Sequence, residues 1–330
     1  MSEYYCLIVT YNNRWQFLSR VLERLGENVG LNVVVVNNGS TDFPETQASV
    51  LNFNTYKRID FTENVGSAKA YGEGLKYIRN VCPDAIVWMI DDDNLPENGA
   101  FAILKERLFA EESLHGHQNI MVLALRPSRN YLTRIVAGEN IEKVLSYGND
   151  FLGFSFKKLA YKLLPKLNMK IDSSRTNSIT LPYAPYGGLM FRSGVIDKIG
   201  YPDERFFVYA DDFDFTSRLA KIGGEIIIEP RAVVHDLELS WQSTSANTSK
   251  LPLALRGGPF RVYYSTRNFI FFQKQRLVKS QLAFAFNALI YILYLSLRAA
   301  LSGKFAGFAV FLNAVIDGWR GNFDNSKYRP

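Results

Sequence analysis

Three aspartates in succession, Asp91-Asp92-Asp93, close an apolar run, Ala85–Ile90 (AIVWMI), that has the length and composition of a buried strand. Adjacent carboxylates repel one another, so such a triplet needs either a cation or a fully solvated turn. The buried strand ahead of it argues against an ordinary acidic surface turn, the alternative reading. Residues i and i+2 point the same way as a strand runs out. Asp91 and Asp93 are therefore candidate ligands for a hard divalent cation, Mn²⁺ or Mg²⁺, that keeps open positions for phosphate oxygens.

The surroundings define the fold class. Short β-rich runs at Tyr5–Thr10, Asn32–Val36, Lys57–Phe61, Ala85–Ile90 and Ile120–Leu125 alternate with helical patterns at Trp15–Leu25, Gly66–Asn80 and Glu97–Phe109. That alternation reads as parallel α/β units. Residues 130–180 carry no sustained period and read as loops and short elements. A strand near Gly188–Arg192, a helix Asp212–Ile222 closed by Gly223-Gly224, and strands Glu225–Ile228 and Ala232–His235 follow. In an open α/β sheet, ligands bind at the carboxyl ends of the parallel strands. Those ends are polar here: Thr10-Tyr11-Asn12, Asn37-Asn38-Gly39-Ser40-Thr41-Asp42 and the aspartate triplet.

A second acidic cluster, Asp211-Asp212-Phe213-Asp214, follows the aromatic run Phe206-Phe207-Val208-Tyr209 and opens a helix. Carboxylates at a helix start also serve as caps and suit the dipole. A doubled Asp exceeds what a cap requires, and a carboxylate among aromatics gains a raised pKa, as a general base needs. His235 ends an apolar strand and reads either as a structural residue or as an imidazole ligand completing a mixed metal site. His115 and His117 read as solvated loop residues. The segment Asn64-Val65-Gly66-Ser67-Ala68-Lys69 through Gly74 opens a helix whose amide-rich start can approach an anion. It is not G-x-G-x-x-G, and no P-loop occurs, so the dinucleotide and Walker readings lose their support.

Together these motifs resemble the family-2 glycosyltransferases of the GT-A fold, over roughly residues 4–245. The resemblance implies an α/β, Rossmann-like mixed sheet flanked by helices, with a C-terminal helical, membrane-proximal extension; the boundary is expected at 250. It implies an inverting transfer from a nucleotide sugar. Thr10, Tyr11, Asn12, Asn38, Asp42, Asn64, Gly66, Lys69 and Asp92 would bind the donor, although Lys69 stands where several relatives carry Gly. Asp91, Asp93 and His235 would hold the metal, His235 matching the third ligand of galactofuranosyltransferases. Asp212 would be the base, with Asp211 and Asp214 orienting the base or the acceptor, and Tyr186 and Trp241 stacking on sugar faces. Tyr263-Tyr264 and Arg267-Asn268 are similar to the galactofuranosyl- and rhamnosyltransferase branch, which extends lipid-linked glycans of bacterial cell-surface polysaccharides. Galactofuranose from UDP-galactofuranose is the expected sugar, with rhamnose from dTDP-rhamnose second. A sugar nucleotidyltransferase would show a Gly-rich basic loop after the first strand, which Thr10-Tyr11-Asn12-Asn13 lacks. A non-catalytic glycan-binding scaffold explains the aromatics but not two acidic clusters.

Charge separates the tail from the body. The whole chain carries +6, whereas residues 251–330 hold 11 Lys/Arg and 2 Asp/Glu, leaving the rest slightly acidic. This favours an anionic membrane surface as partner over nucleic acid, for which no recognition motif exists. No run of 18 clean apolar residues argues for a span. Leu282–Leu297 and Phe305–Ile316, flanked by Arg276, Lys279, Arg298 and Lys304, read as helices lying in the interface, or else as packing or homo-oligomer elements. Two cysteines and no leader-like start fit a cytoplasmic protein on the inner face of the membrane.

Overall fold

The computed structural model describes residues 3–43, 52–163, 179–238, 251–324 and 328, with only the backbone described at 160–163. In chain order its elements begin with β1 (Tyr4–Thr10), α1 (Trp15–Leu25), β2 (Leu31–Asn38), β3 (Thr55–Phe61), α2 (Ser67–Val81), β4 (Ile86–Asp91), β5 (Asn94–Pro96), α3 (Ala100–His115), β6 (Ile120–Leu125) and α4 (Asn130–Val136). They continue with α5 (Ile141–Val144), α6 (Phe156–Leu163), β7 (Ile179–Leu181), β8 (Leu189–Arg192), α7 (Ile196–Ile199), α8 (Asp211–Ser217), β9 (Glu225–Asp236), α9 (Leu253–Arg256), α10 (Pro259–Phe272), α11 (Gln281–Ser302) and α12 (Phe305–Arg320).

The chain divides into two compact units. The first comprises Met1–Ala137, Ser178–Phe207 and Asp211–Glu238; the second comprises Gly138–Asn177, Val208–Ala210 and Leu239–Pro330. The two units interleave along the chain, with the described residues 138–163 grouping with the C-terminal helices.

In the first unit the strands lie in the order β3-β2-β1-β4-β8-β6-β9-β5, with β7 beside β9. β1 runs parallel to β2 and β4, and β2 to β3. β8 is antiparallel to both β4 and β6, so β6, and β9 parallel to it, point the same way as β1. The sheet is mixed, yet the carboxyl ends of β1, β2, β4, β6 and β9 share one edge. β9 is one strand rather than two: its pairing with β6 jumps from Glu229 to Val233, looping out the stretch around Pro230, which lacks a ladder N–H.

Alternation sorts the layers. Cys6, Ile8, Val33, Val35 and Trp88 face α1 and α3, which contribute Leu18, Leu22, Leu104 and Leu108. α2 packs on β1 and β2. Its N-cap Gly66 has φ +86, and a Cβ there would sit 2.3 Å from the Phe207 carbonyl oxygen. The same oxygen accepts from Ala68 N at 3.2 Å, so the start of α2 is clamped to the loop ahead of α8.

The second unit has its own core, including Phe151, Val262, Phe284, Leu295 and Phe311. Arg267 is buried there with its guanidinium 4.5 Å from the Tyr264 ring and 4.8 Å from the Phe323 ring. Tyr263 OH donates to Asp317 at 2.6 Å. α11 has 22 residues, longer than the 16-residue apolar run read from the sequence, because Arg298 lies within the helix without breaking it. At about 1.5 Å per residue it is some 33 Å long. By length and composition it is sufficient to cross a membrane, which corrects the expectation that no stretch is.

Gly66→Ala combines a strained φ with a backbone clash and is expected to cost about 1–3 kcal/mol. Thermal unfolding checks this; an unchanged melting temperature would mean that the Phe207 loop does not constrain α2.

Candidate active site

The shared edge gathers the polar strand ends into one place. After β1, Asn12 and Asn13 take left-handed φ of 55 and 54°, which Asn tolerates better than most residues. Asn13 Oδ1 accepts from Thr41 N at 2.8 Å, and the Asp42 carboxylate accepts from Trp15 N at 3.0 Å, capping α1. Asn38 and Asn64 bind each other (Nδ2 to Oδ1, 3.0 Å), and Asn38 Oδ1 accepts from Val65 N at 2.8 Å. Asp42, Asn38 and Asn64, expected as donor-binding residues, thus fix the loops around the site. Tyr11 is exposed, with the Arg14 guanidinium 5.4 Å from its ring centre. Lys69 lies half-buried in the first turn of α2.

The aspartates split by direction. Asp92 is buried, accepting from Thr10 Oγ1 at 2.8 Å and from Arg14 Nε at 2.9 Å. Burial nonetheless pushes its pKa up to about 7. Asp91 is more open; it accepts from Tyr71 OH at 2.8 Å and pairs with Arg126 at 3.3 Å. Asp93 pairs with Arg14 Nη2 at 3.0 Å and is raised to about 6, by burial first and then by the charge of Asp91. Gly187 leaves the room this requires: a Cβ there would meet Arg126 Nη1 at 2.1 Å and Asp91 Oδ2 at 2.8 Å.

His235 is not in this cluster. It alternates with Val234 and Asp236 along β9, and its Nε2 lies 2.7 Å from Glu97 Oε1 on the exposed side. Asp236 occupies the site instead, accepting from Arg126 Nε at 2.9 Å and from Asn94 Nδ2 at 3.0 Å. Among the described residues no three His, Cys, Asp or Glu side chains converge as a ready metal cage. Asp91 and Asp93 remain a donor pair that fits a hard divalent cation, since carboxylate oxygens are the ligands it prefers and phosphates and water fill its other positions.

The second acidic cluster meets the first. The charge of Asp91 helps raise both Asp211 and Asp212, so the two clusters lie within electrostatic reach. Asp211 is buried, accepts from Ser67 Oγ at 2.9 Å, and is lifted by burial to about 7. Asp212 is more open and accepts from Phe213 N at 2.8 Å; burial and then the charge of Asp211 hold it well above the usual carboxylate range. Two close carboxyls of this kind titrate as a pair. Asp214 does not reach the acceptor side: it is buried on Arg218, with Nε at 3.1 Å. Tyr186 is also buried, its ring tilted against that of Tyr71 with centres 4.5 Å apart, rather than offering a free face. Trp241 lies outside the described residues.

Sequence reasoning missed Arg14, Ser67, Tyr71, Arg126 and Asp236. Arg126 had an available signal, since it directly follows Leu125 at a strand end. Asp236 had one too, as the neighbour of His235.

Residues 5–119 match the family model of glycosyl transferase family 2. The structure of GalNAc-T7 with UDP, GalNAc and Mn²⁺ is similar at a TM-score of 0.52 and 12% identity, covering 83% of this chain and 48% of its own. S. aureus TarS 1–349 is similar at 0.45 and 15% identity, covering 97% and 92%; its complex with UDP-GlcNAc gives 0.44, 14%, 97% and 92%. No curated protein sequence matches. The chain spans about half the length of the GalNAc-T7 structure. The fold is of the GT-A type.

The raised pKa of Asp211 has a signed consequence for stability. Its carboxyl favours the folded state while protonated, so that contribution is present below about pH 4 and is lost as pH rises through about 7. Asp211→Asn keeps an acceptor for Ser67 and removes the charge. Its melting temperature relative to the parent should be higher by several degrees at pH 8 than at pH 5. An equal difference at both pH values would overturn the assignment.

Proposed function

We propose that this chain is an inverting, metal-dependent glycosyltransferase that moves a hexose from a UDP-sugar to an acceptor hydroxyl. The observation that carries the reading is the meeting of two acidic clusters, one at the sheet edge with Asp91 partly exposed and the other carrying a raised carboxyl pair. Asp212, the more accessible of the pair, takes the proton from the acceptor hydroxyl as its oxygen attacks the anomeric carbon. Asp211, anchored by Ser67, keeps the pKa of the pair high enough for a base near neutral pH. The nucleoside diphosphate departs from the opposite face of the sugar. Asp91 and Asp93 would hold the cation, which when bound offsets the diphosphate charge. Arg14 and Arg126 hold the surrounding carboxylates in place. Tyr11, Asn12, Gly66 and Lys69 border the donor side.

The acceptor class we propose is a lipid-linked glycan of a bacterial surface polysaccharide, handled at the cytoplasmic face of the membrane. It rests on the resemblance of the C-terminal motifs. UDP-galactofuranose is the first donor to test and dTDP-rhamnose the second. The orientation of His235 toward Glu97 removes one of the two features that favoured galactofuranose.

Asp212→Asn should lower turnover by roughly 10²–10⁴ while donor binding survives. A dead Asp211→Asn beside a near-normal Asp212→Asn would place the base one residue earlier. Asp91→Ala and Asp93→Ala should each weaken Mn²⁺-dependent UDP binding, read by calorimetry, and abolish UDP release from the sugar donor. Full activity in EDTA would sink the metal role.

A further inference from the structure

α11 carries an apolar face that the other described residues leave uncovered. Leu282, Phe286, Leu289, Leu293, Leu297 and Leu301 recur at helical spacing and are all exposed, Leu282 at 86% and Leu301 at 77%. The stripe spans nineteen residue steps, or about 28 Å. Phe156 and Leu159 of α6, both exposed, widen it: the Phe156 and Phe286 rings meet edge to face at 5.9 Å. Exposed Lys279 precedes the stripe and exposed Lys304 follows it, while α11 itself contains no Asp or Glu. The one acidic residue of α12, Asp317, is buried against Tyr263.

We infer that this face of α6 and α11 docks on an anionic lipid bilayer, with α11 lying along the interface rather than crossing it. Apolar area combined with flanking cations is what binds an interfacial helix to anionic headgroups. A second copy of the chain fits less well. Pairing two such stripes antiparallel would set Lys279 against Lys304 with no carboxylate on either helix to balance them. A span also fits less well, because the opposite face of α11 is fixed to polar structure. Asn287 is buried, donates to Asn149 O at 2.8 Å and accepts from Phe156 N at 2.9 Å. The adjoining Asp150–Lys158 ion pair would enter hydrocarbon if α11 crossed the bilayer.

The test is flotation of the full-length protein with vesicles of phosphatidylcholine alone or mixed with phosphatidylglycerol. The protein should float with the mixed vesicles, less so in high salt, and alkaline carbonate should release it. Leu289→Glu with Leu293→Glu should reduce partitioning by about tenfold or more. Lys279→Glu with Lys304→Glu should reduce it on the anionic vesicles alone. Melting temperatures should stay at the parent value, since all four side chains are exposed. Failure of the parent to float, undiminished flotation of the leucine variant, or retention after carbonate would each overturn the inference. So would a soluble dimer that the leucine variant dissociates while vesicle binding is absent.

Discussion

The site depends on two guanidinium groups placed among carboxylates. Asp91, Asp92, Asp93 and Asp236 all arrive at one sheet edge, and left alone they would repel strongly. Arg14 spans Asp92 and Asp93, and Arg126, almost fully buried, spans Asp91 and Asp236. Two cations among four acids leave an excess of negative charge, and burial first, then the charge of neighbouring aspartates, keeps Asp92 and Asp93 raised even with Arg14 beside them. That residual charge is what a divalent cation would neutralise. The same arginines hold Asp91 and Asp93 in position.

The parallel alignment behind this arrangement was legible because each strand is a continuous apolar run closed by polar residues. Ile120–Leu125 and Trp15–Leu25 coincide with the observed elements, since nothing competes with their periodicity. What escaped was direction within a strand. His235 and Asp236 are neighbours in sequence, yet alternation sends one to Glu97 and the other to Arg126. No composition rule distinguishes them without the register of β9, and that register shifts around Pro230. The apolar-run criterion likewise shortened α11, because a single Arg298 interrupts hydropathy but not the helix.

The two acidic clusters were each readable, but their division of labour was not. Asp211, Asp212 and Asp214 look equivalent in sequence. The fold separates them by partner: Ser67 for Asp211, the Phe213 amide for Asp212, and the full guanidinium of Arg218 for Asp214. Burial, with Asp211 and Asp212 so close together, keeps that pair raised. Partner chemistry, rather than position in the helix, sets Asp211 and Asp212 apart from Asp214.

Backbone strain converges on the same point. Phe207, Tyr209 and Ala210, just ahead of Asp211 in the chain, adopt φ of 65, 67 and 60°. For side chains with a Cβ such angles persist only where neighbouring bonds over-determine them. In the first unit, Phe207 O accepts from Ala68 N. In the second, Asn268 Nδ2 donates to Val208 O at 2.7 Å and to Tyr209 O at 3.1 Å. Asn268 is itself oriented by Arg267, whose Nε donates to its Oδ1 at 2.8 Å. The Arg267-Asn268 pair, which from sequence marked a family branch, therefore has a physical task in this chain. It holds the Val208 and Tyr209 carbonyls, in the stretch that leads along the chain to Asp211.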